Sequence, residues 1–478
     1  MTGRRAPGSP RAAGKRPDQA QAAVLQQLAR VLDEPVLAAQ PPATRKLAEK
    51  WSAVSGSGAL VVTAALFGIY LAYAVLRLQE IYPDLDIPRL PMIMSLIIVF
   101  VVLASTPAIG WKTMWAMVPP VRWQVLIIVL SVITAPIGIR MGGSLHFVAE
   151  RYSISLIVFF ASIVLLRDRR AMAAALTVLL IAGAVVAAYS MSPTAQTIGR
   201  GLNKRVEVGV TLDPNDLAQL FVVLVPLALF MAQRRGLLSV HWFVVAGMMV
   251  IAIIPTQSRG AIVGIGAVAL VLLSFGTSRW RRVINIVGVA AGAVGLMLAA
   301  KGPGGAHLDD FSDYSGGEGR IAIWKRGLVW MTWRPWGYGI DNFPLYFGWL
   351  NGPDRAAHNS FIQIGMELGV TGGIAFIMVW FLLIRGLLQQ RAHAIRVATR
   401  IPAAGREAML TTMMLAAIAG TMVTGFFLAK AYDGITLFIQ GLGCAVLLGY
   451  PFRNESAPVA APALTSSQLR RTRTLQLT

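Results

Sequence analysis

AMAAALTVLLIAGAVVAAYSM, residues 171–191, decides the fold. It runs 21 residues without a charge and is entered through Arg167, Arg169 and Arg170. As an α-helix rising ~1.5 Å per residue, it is long enough to cross the ~30 Å hydrocarbon core of a bilayer. As an open strand it would leave backbone N–H and C=O groups unpaired in lipid, so only the helix can span. Working outward, comparable blocks recur near 57–76, 91–108, 123–139, 152–166, 213–232, 241–255, 261–276, 283–300, 359–384, 408–428 and 434–450. The pattern predicts an all-α polytopic membrane protein of about 12 transmembrane helices, with 152–166, 241–255 and 261–276 the short ones.

Composition agrees. Of 478 residues, 56% are hydrophobic and 14% charged, and the mean hydropathy is +0.63. A soluble chain keeps roughly a quarter of its residues charged. Lys and Arg number 43 against 22 Asp and Glu. Alternating the spans from a cytoplasmic N-terminus puts 28 of the basic residues on the cytoplasmic side, with a net +21, and leaves the other side neutral. That asymmetry is the positive-inside rule, with both termini in the cytoplasm. It argues against a nucleic-acid partner and for attraction to anionic membrane lipids.

The chain divides into three parts. Residues 1–56 read as a basic cytoplasmic tail, partly disordered, with no apolar core before a cleavage site. Within it Val24, Leu25, Leu28, Val31 and Leu32 have helical spacing, which suits a surface helix or a marginal one. Residues 57–450 form the transmembrane domain, and 451–478 a second disordered cytoplasmic tail. The lone Cys444 lies in the last span, so the chain forms no internal disulfide.

Two loops on the outer side are long. One runs from Ser192 to Asp213, and the other covers 302–357 before His358. The second is too long for a connector. It holds Trp324, Trp330, Trp333, Trp336, Tyr338, Tyr346 and Trp349, residue types that anchor at headgroup level or stack on sugar rings. Its segment Arg320–Trp333 has few helix breakers and predicts an interfacial helix. Basic residues on this face are the sharper signal. Arg200, Lys204 and Arg205 cluster in the first loop; Arg259 sits in Thr256-Gln-Ser-Arg-Gly260; Arg320 and Arg355 lie in the second. An arginine at the hydrocarbon edge is costly unless paired or facing a wet cavity. Several guanidinium forks converging would hold a diphosphate, and the membrane's abundant diphosphates are polyprenyl-linked sugars. His358 opens His-Asn-Ser-Phe361, nine residues before Glu367, and a neutral imidazole there can accept a proton from a hydroxyl. Asp84-Leu-Asp86 has a spacing that suits a divalent cation, which leaves a metal-dependent glycosyltransferase as the alternative. A lipid-linked glycan transporter is the other alternative, although the chain shows no internal repeat.

Four patches on this face resemble the O-antigen ligase and O-antigen or exopolysaccharide polymerase superfamily. They are Arg205-Val-Glu-Val-Gly209 running into Asp213-Pro-Asn-Asp-Leu-Ala218; Ser258-Arg-Gly260; Gly319-Arg320 with Ile323-Trp324 and Gly337-Tyr-Gly-Ile-Asp-Asn-Phe343; and His358-Asn-Ser-Phe361 through Glu367-Leu-Gly369. The likeness covers roughly 195–385. It implies a glycosyltransferase of C-type architecture in the bacterial inner membrane. Such an enzyme moves a glycan from undecaprenyl diphosphate, at the periplasmic face, to a hydroxyl acceptor in lipopolysaccharide or exopolysaccharide biosynthesis. The acceptor is lipid A core or a growing polysaccharide. Carried onto this chain, Arg259 and Arg205 bind the donor diphosphate, with Arg200 a competing candidate; Arg320 supports them, and His358 is the base. Asn215, Asn359 and Glu367 are supporting residues. No cofactor or metal is implied, guanidiniums taking the metal's part. The Asp-Pro-Asn-Asp form of the first patch is closer to polymerase-like members, which leaves the acceptor open.

Overall fold

The computed structural model describes residues 58–105, 111–198, 205–207, 213–233, 239–275, 320–351 and 355–452. Arg200, the expected span 283–300, the first part of the loop 302–357 and both tails lie outside the described residues. Helices α1 (Gly58–Ala74), α2 (Leu90–Ser105), α3 (Trp111–Met117) and α4 (Pro120–Thr134) open the chain. Then α5 (Met141–Phe147) runs through a π turn at Val148–Tyr152 into α6 (Ser153–Leu165), followed by α7 (Arg169–Ser190). A two-residue strand at Thr197–Ile198 (β1) pairs antiparallel with Arg205–Val206 (β2). The remainder is α8 (Pro214–Met231), α9 (Val240–Ala252), α10 (Arg259–Phe275), α11 (Arg320–Trp333), α12 (Phe343–Asn351), α13 (Ser360–Glu367), α14 (Gly369–Ala398), α15 (Ala404–Phe426) and α16 (Gly434–Leu448).

Six helical stretches, Pro120–Ile137, Met141–Leu165, Arg169–Ser190, Pro214–Met231, Gly369–Ala398 and Ala404–Phe426, are long and apolar enough to cross a membrane. Five shorter apolar helices accompany them. The chain is a multi-pass, all-α membrane protein. Exposed Leu96, Phe100, Ile133, Val244, Leu270 and Phe381 give the bundle an apolar outside as well as an apolar core, as lipid requires. Small residues bring the helices together where lipid supplies no hydrophobic drive. Gly68 of α1 lies against the Ala175 backbone of α7, and Gly441 of α16 against Phe159 of α6.

The bundle has two distinguishable ends. At the far end Arg169 grips Glu407 with a two-pronged pair, Nε to Oε1 and Nη2 to Oε2, both 2.9 Å, and Nη2 also donates to Val446 O at 3.1 Å. That ties α7, α15 and α16. The opposite end, the site end, carries the starts of α8, α10, α13, α14 and α16.

Three boundaries differ from the sequence reading. The expected span 359–384 is two helices, α13 and α14, broken at Gly369, whose φ of 75° is left-handed. A Cβ there would run into Pro335 O and Trp336, so the chain turns where only glycine fits. α14 then continues to Ala398, through residues expected to form a loop, because Leu387, Gln390, Ala394 and Val397 keep a buried stripe at helical spacing. The helix expected at 152–166 begins at Met141, the π turn carrying it past Tyr152.

Candidate functional site

Residues 320–351 and 355–366 build a small second core on top of the bundle. Ile323, Trp330, Tyr338, Phe343, Phe347, Ile362 and Met366 pack together, joined by Trp324, Met331 and Tyr346. Four of the seven aromatics in the long loop, Trp324, Trp330, Tyr338 and Tyr346, therefore belong to packing, and Trp333, Trp336 and Trp349 stay exposed. The loop between α11 and α12 is pinned from two sides. Tyr338 N and Gly339 N donate to Glu367 O at 3.1 and 2.9 Å, and Phe343 N donates to Glu367 Oε1 at 3.1 Å. From the other side, the fully buried Asn342 gives its Nδ2 to Ser144 Oγ at 2.6 Å, and Ser144 Oγ donates to Ile340 O at 2.8 Å. Glu367 itself has no solvent exposure.

His358 follows this core. Trp324 Nε1 donates to Ala357 O at 2.9 Å, and Asn359 caps α13, its Oδ1 accepting from Phe361 N and Ile362 N at 2.9 and 3.0 Å. Held from both sides, His358 takes a left-handed φ of 45°. Burial pushes its imidazole down to a pKa of about 4, helped by the positive charges of Arg320 and Arg355 and opposed by Asp213. His358, Arg320, Arg355 and Asp213 are thus close enough to feel one another.

The other arginines stand on neighbouring elements. Arg205, on β2, donates Nε to Thr256 O and Nη2 to Asn215 Oδ1, both at 2.9 Å. These bonds tie the strand to the start of α8 and to the 3-10 turn Ile254–Thr256. Asn215 stands in the first turn of α8, where Asp213 caps with bonds of 2.7 and 2.9 Å from Asn215 N and Asp216 N. After the 3-10 turn, Gln257 adopts φ 52° and the chain enters α10 at Arg259. Gly260 beside it sits against the Phe427 side chain, and Arg320 Nη1 reaches Phe427 O at 3.4 Å. Arg259, Arg320 and His358 therefore gather around one connector, residues 427–433 between α15 and α16, with Arg205 on the α8 side. The first turns of α8, α10, α11 and α13 meet there, and the positive ends of their dipoles add to the field.

The connector holds residues that the sequence reading entered only as charges. Lys430 Nζ bridges Asp216 Oδ2 at 2.5 Å and Asp433 Oδ2 at 3.2 Å. Its backbone N donates to Ser360 Oγ at 2.9 Å, and Ser360 Oγ donates to Leu428 O at 2.7 Å. The triad joins the starts of α8 and α16, while Ser360 joins the connector to the residue pair His358-Asn359. Local sequence carried no sign of it, since Asp216 and Lys430 are 214 residues apart. Among the described residues no group of three or more His, Cys, Asp or Glu side chains is placed to hold a metal ion.

Residues 243–377 match the family model described as O-antigen ligase. That stretch is similar to the O-antigen ligase family. The likeness supports ligase- or polymerase-type function in polysaccharide synthesis, with a lipid-linked glycan and an acceptor as general partners. The matched stretch holds Arg259, Arg320, His358 and Glu367, and lies inside the 195–385 of the sequence resemblance. Arg205 and Asn215 precede it. No curated protein matches the chain.

Proposed function

We propose that this O-antigen ligase-type protein is a metal-independent glycosyltransferase of the bacterial inner membrane. It moves a glycan from undecaprenyl diphosphate to a hydroxyl of lipid A core or of a growing polysaccharide, at the periplasmic face. The observation that carries the reading is His358, held between the Trp324–Ala357 bond and the Asn359 cap of α13, with Arg320, Arg355 and Asp213 near enough to act on its imidazole and burial disfavouring its proton. In the step proposed, the acceptor oxygen bonds to the sugar's anomeric carbon as the bond from that carbon to the diphosphate oxygen breaks. The acceptor proton passes to a ring nitrogen of His358, and the electron pair of the broken bond leaves with undecaprenyl diphosphate. Arg259 and Arg320 would balance the charge that develops there, with Arg205, beside the start of α8, as a further donor-site residue. Arg200 keeps the competing place proposed from sequence. Such preplaced donors act most strongly where charge develops in the transition state.

Asp213 is the group available to steady the imidazolium once it forms, since its charge already favours protonation of His358. Asn215, Asn359 and Glu367 support the site by orienting Arg205, the start of α13 and the 337–343 loop. The basic far end, with Arg169, Arg391, Arg400 and Arg406, supports a cytoplasmic assignment for that end.

The test is transfer by the purified protein in detergent or nanodiscs, given undecaprenyl diphosphate-linked glycan and an acceptor, with and without EDTA. Transfer that survives EDTA is expected. Strict dependence on added Mg²⁺ or Mn²⁺ would give the reaction to a metal-dependent mechanism, and movement of the glycan across a vesicle membrane without transfer would make the protein a transporter.

A further inference from the structure

Helix α13 is eight residues, about 12 Å long, and both of its ends meet the connector 427–433. At the first residue, Ser360 Oγ donates to Leu428 O at 2.7 Å and accepts from Lys430 N at 2.9 Å. At the last, the Glu367 side chain and the Tyr432 hydroxyl are near enough to act on one another. Tyr432 is wedged where α5 runs into α6, its ring edge-on to Phe147 at 5.9 Å and to Tyr152 at 5.3 Å. Glu367 has no solvent exposure, and its Oε1 accepts from Phe343 N at 3.1 Å. Its Oε2 and the Tyr432 hydroxyl are both buried, and neither meets a hydrogen-bond partner at good geometry among the described residues. A carboxylate would be poorly provided for here. It would have one side-chain-directed N–H for two oxygens, and among the described residues no basic side chain pairs with it. The charged neighbour that reaches it is another acid, Asp341, which Arg151 attracts from its other side. A buried charge without a counter-ion is relieved by taking up a proton. An un-ionised acid fits instead. Its carbonyl oxygen takes the Phe343 N–H, and its hydroxyl supplies a donor for the Tyr432 oxygen.

We propose that Glu367 is an un-ionised carboxylic acid at neutral pH and gives its proton in a hydrogen bond to Tyr432, so that α13 is strapped to the connector at both ends. Burial first, with Asp341 adding to it and the Phe343 N–H opposing, pushes the Glu367 pKa up to about 8, in keeping with this. His358 stands two residues ahead of Ser360, and the 338–343 loop is held by Glu367. Tyr432 and Glu367 are thus positioning residues for both flanks of the site, a consequence for transfer that rests on the reaction proposed above.

Infrared spectroscopy of the purified full-length protein in nanodiscs at neutral pH decides it, through the carbonyl stretch of an un-ionised acid. Isotope-labelled glutamate identifies that band as a glutamate's in the unaltered protein, so the first result needs no variant to fold. Glu367→Gln assigns the band, and Tyr432→Phe reports the hydrogen bond. The expected result is a glutamate acid band that disappears in Glu367→Gln and moves in frequency in Tyr432→Phe. Absence of the band from the labelled protein would overturn the proposal, as would a band unchanged by either substitution. Transfer supplies the second readout. Tyr432→Phe is expected to lose about fivefold in turnover at unchanged donor affinity, the worth of one hydrogen bond. Full turnover in Tyr432→Phe, with the unaltered protein active, would overturn the positioning role. An unaltered protein that transfers nothing would fail the reaction proposed above, and the infrared result would still decide the state of Glu367.

Discussion

His358 is a poor base in the free protein, because burial and two arginines oppose its proton. A bound diphosphate would offset those charges and make the imidazole more basic when an acceptor arrives. The two pH profiles should therefore separate. The acid limb of kcat/KM, which reports the free enzyme, is expected near pH 4, and that of kcat, which reports the donor complex, higher. Coincident limbs near the ordinary ~6.5 would remove His358 from this role. The same depression sets a sign for stability. Between about pH 6.5 and pH 4 the unfolded chain takes up a proton that folded His358 refuses, so the melting temperature should fall as pH falls through that window. His358→Gln should flatten that slope. The variant should also lose ~10²–10⁴-fold in transfer while keeping donor affinity. Arg259→Lys is expected to lose about 10²-fold in turnover, because an ammonium cannot reproduce a two-pronged donor. Retention of half the normal turnover in folded Arg259→Lys would refute the diphosphate contact. Lys430 is a matter of stability. Removing it as Lys430→Met leaves Asp216 and Asp433 facing one another, partly buried, at a cost of roughly 3 kcal/mol. Adding Asp216→Asn should restore much of that, which paired melting curves of the single and double variants would read.

At the level of elements, the break between α13 and α14 is what lets one residue organise the site. Glu367, last in α13, receives three backbone N–H groups of the 338–343 loop through its carbonyl and its carboxylate. Glu367→Ala would orphan the buried Phe343 N–H, a loss of about 1–3 kcal/mol. Glu367→Gln keeps an acceptor and should cost much less. Equal loss in the two, measured by thermal unfolding, would mean that the charge rather than the bond matters. Gly369 marks the same joint. Gly369→Ala meets both a left-handed φ and the Pro335 carbonyl, and should lower stability by on the order of 2 kcal/mol. The Asp-Pro-Asn-Asp signal at 213–216 was legible as a helix start because capping is local: Asp213 accepts from N–H groups two and three residues on. The break at Gly369 was not legible, since its cause is the Pro335 backbone arriving from elsewhere.

Across the whole molecule, the bundle separates two chemistries by some thirty ångströms of apolar packing. One end gathers Arg205, Arg259, Arg320, His358 and the Lys430 triad. The other is locked by Arg169 and Glu407. The orientation proposed here has a direct check with a membrane-impermeant thiol reagent in a Cys444→Ser background. Asp84→Cys should label in intact spheroplasts, and Arg400→Cys, in the turn after α14, only after lysis. Labelling of Arg400→Cys in intact spheroplasts would invert the topology.

The apolar blocks by themselves determined that the chain is a helical, multi-pass membrane protein, because lipid leaves a hydrophobic run of that length one foldable form. Short motifs around Arg259, Arg320 and His358 were likewise enough for the resemblance that the O-antigen ligase model supports over 243–377, since local backbone and side-chain chemistry repeats with the motif. Only the tertiary structure decided that α13 and α14 are separate helices, that the aromatics of the long loop divide between a core and an exposed stripe, and that Lys430 braces two carboxylates beside the site. Each of these depends on groups distant in sequence meeting in space. Periodicity reports which face of a helix is apolar; it does not report what arrives to cover that face.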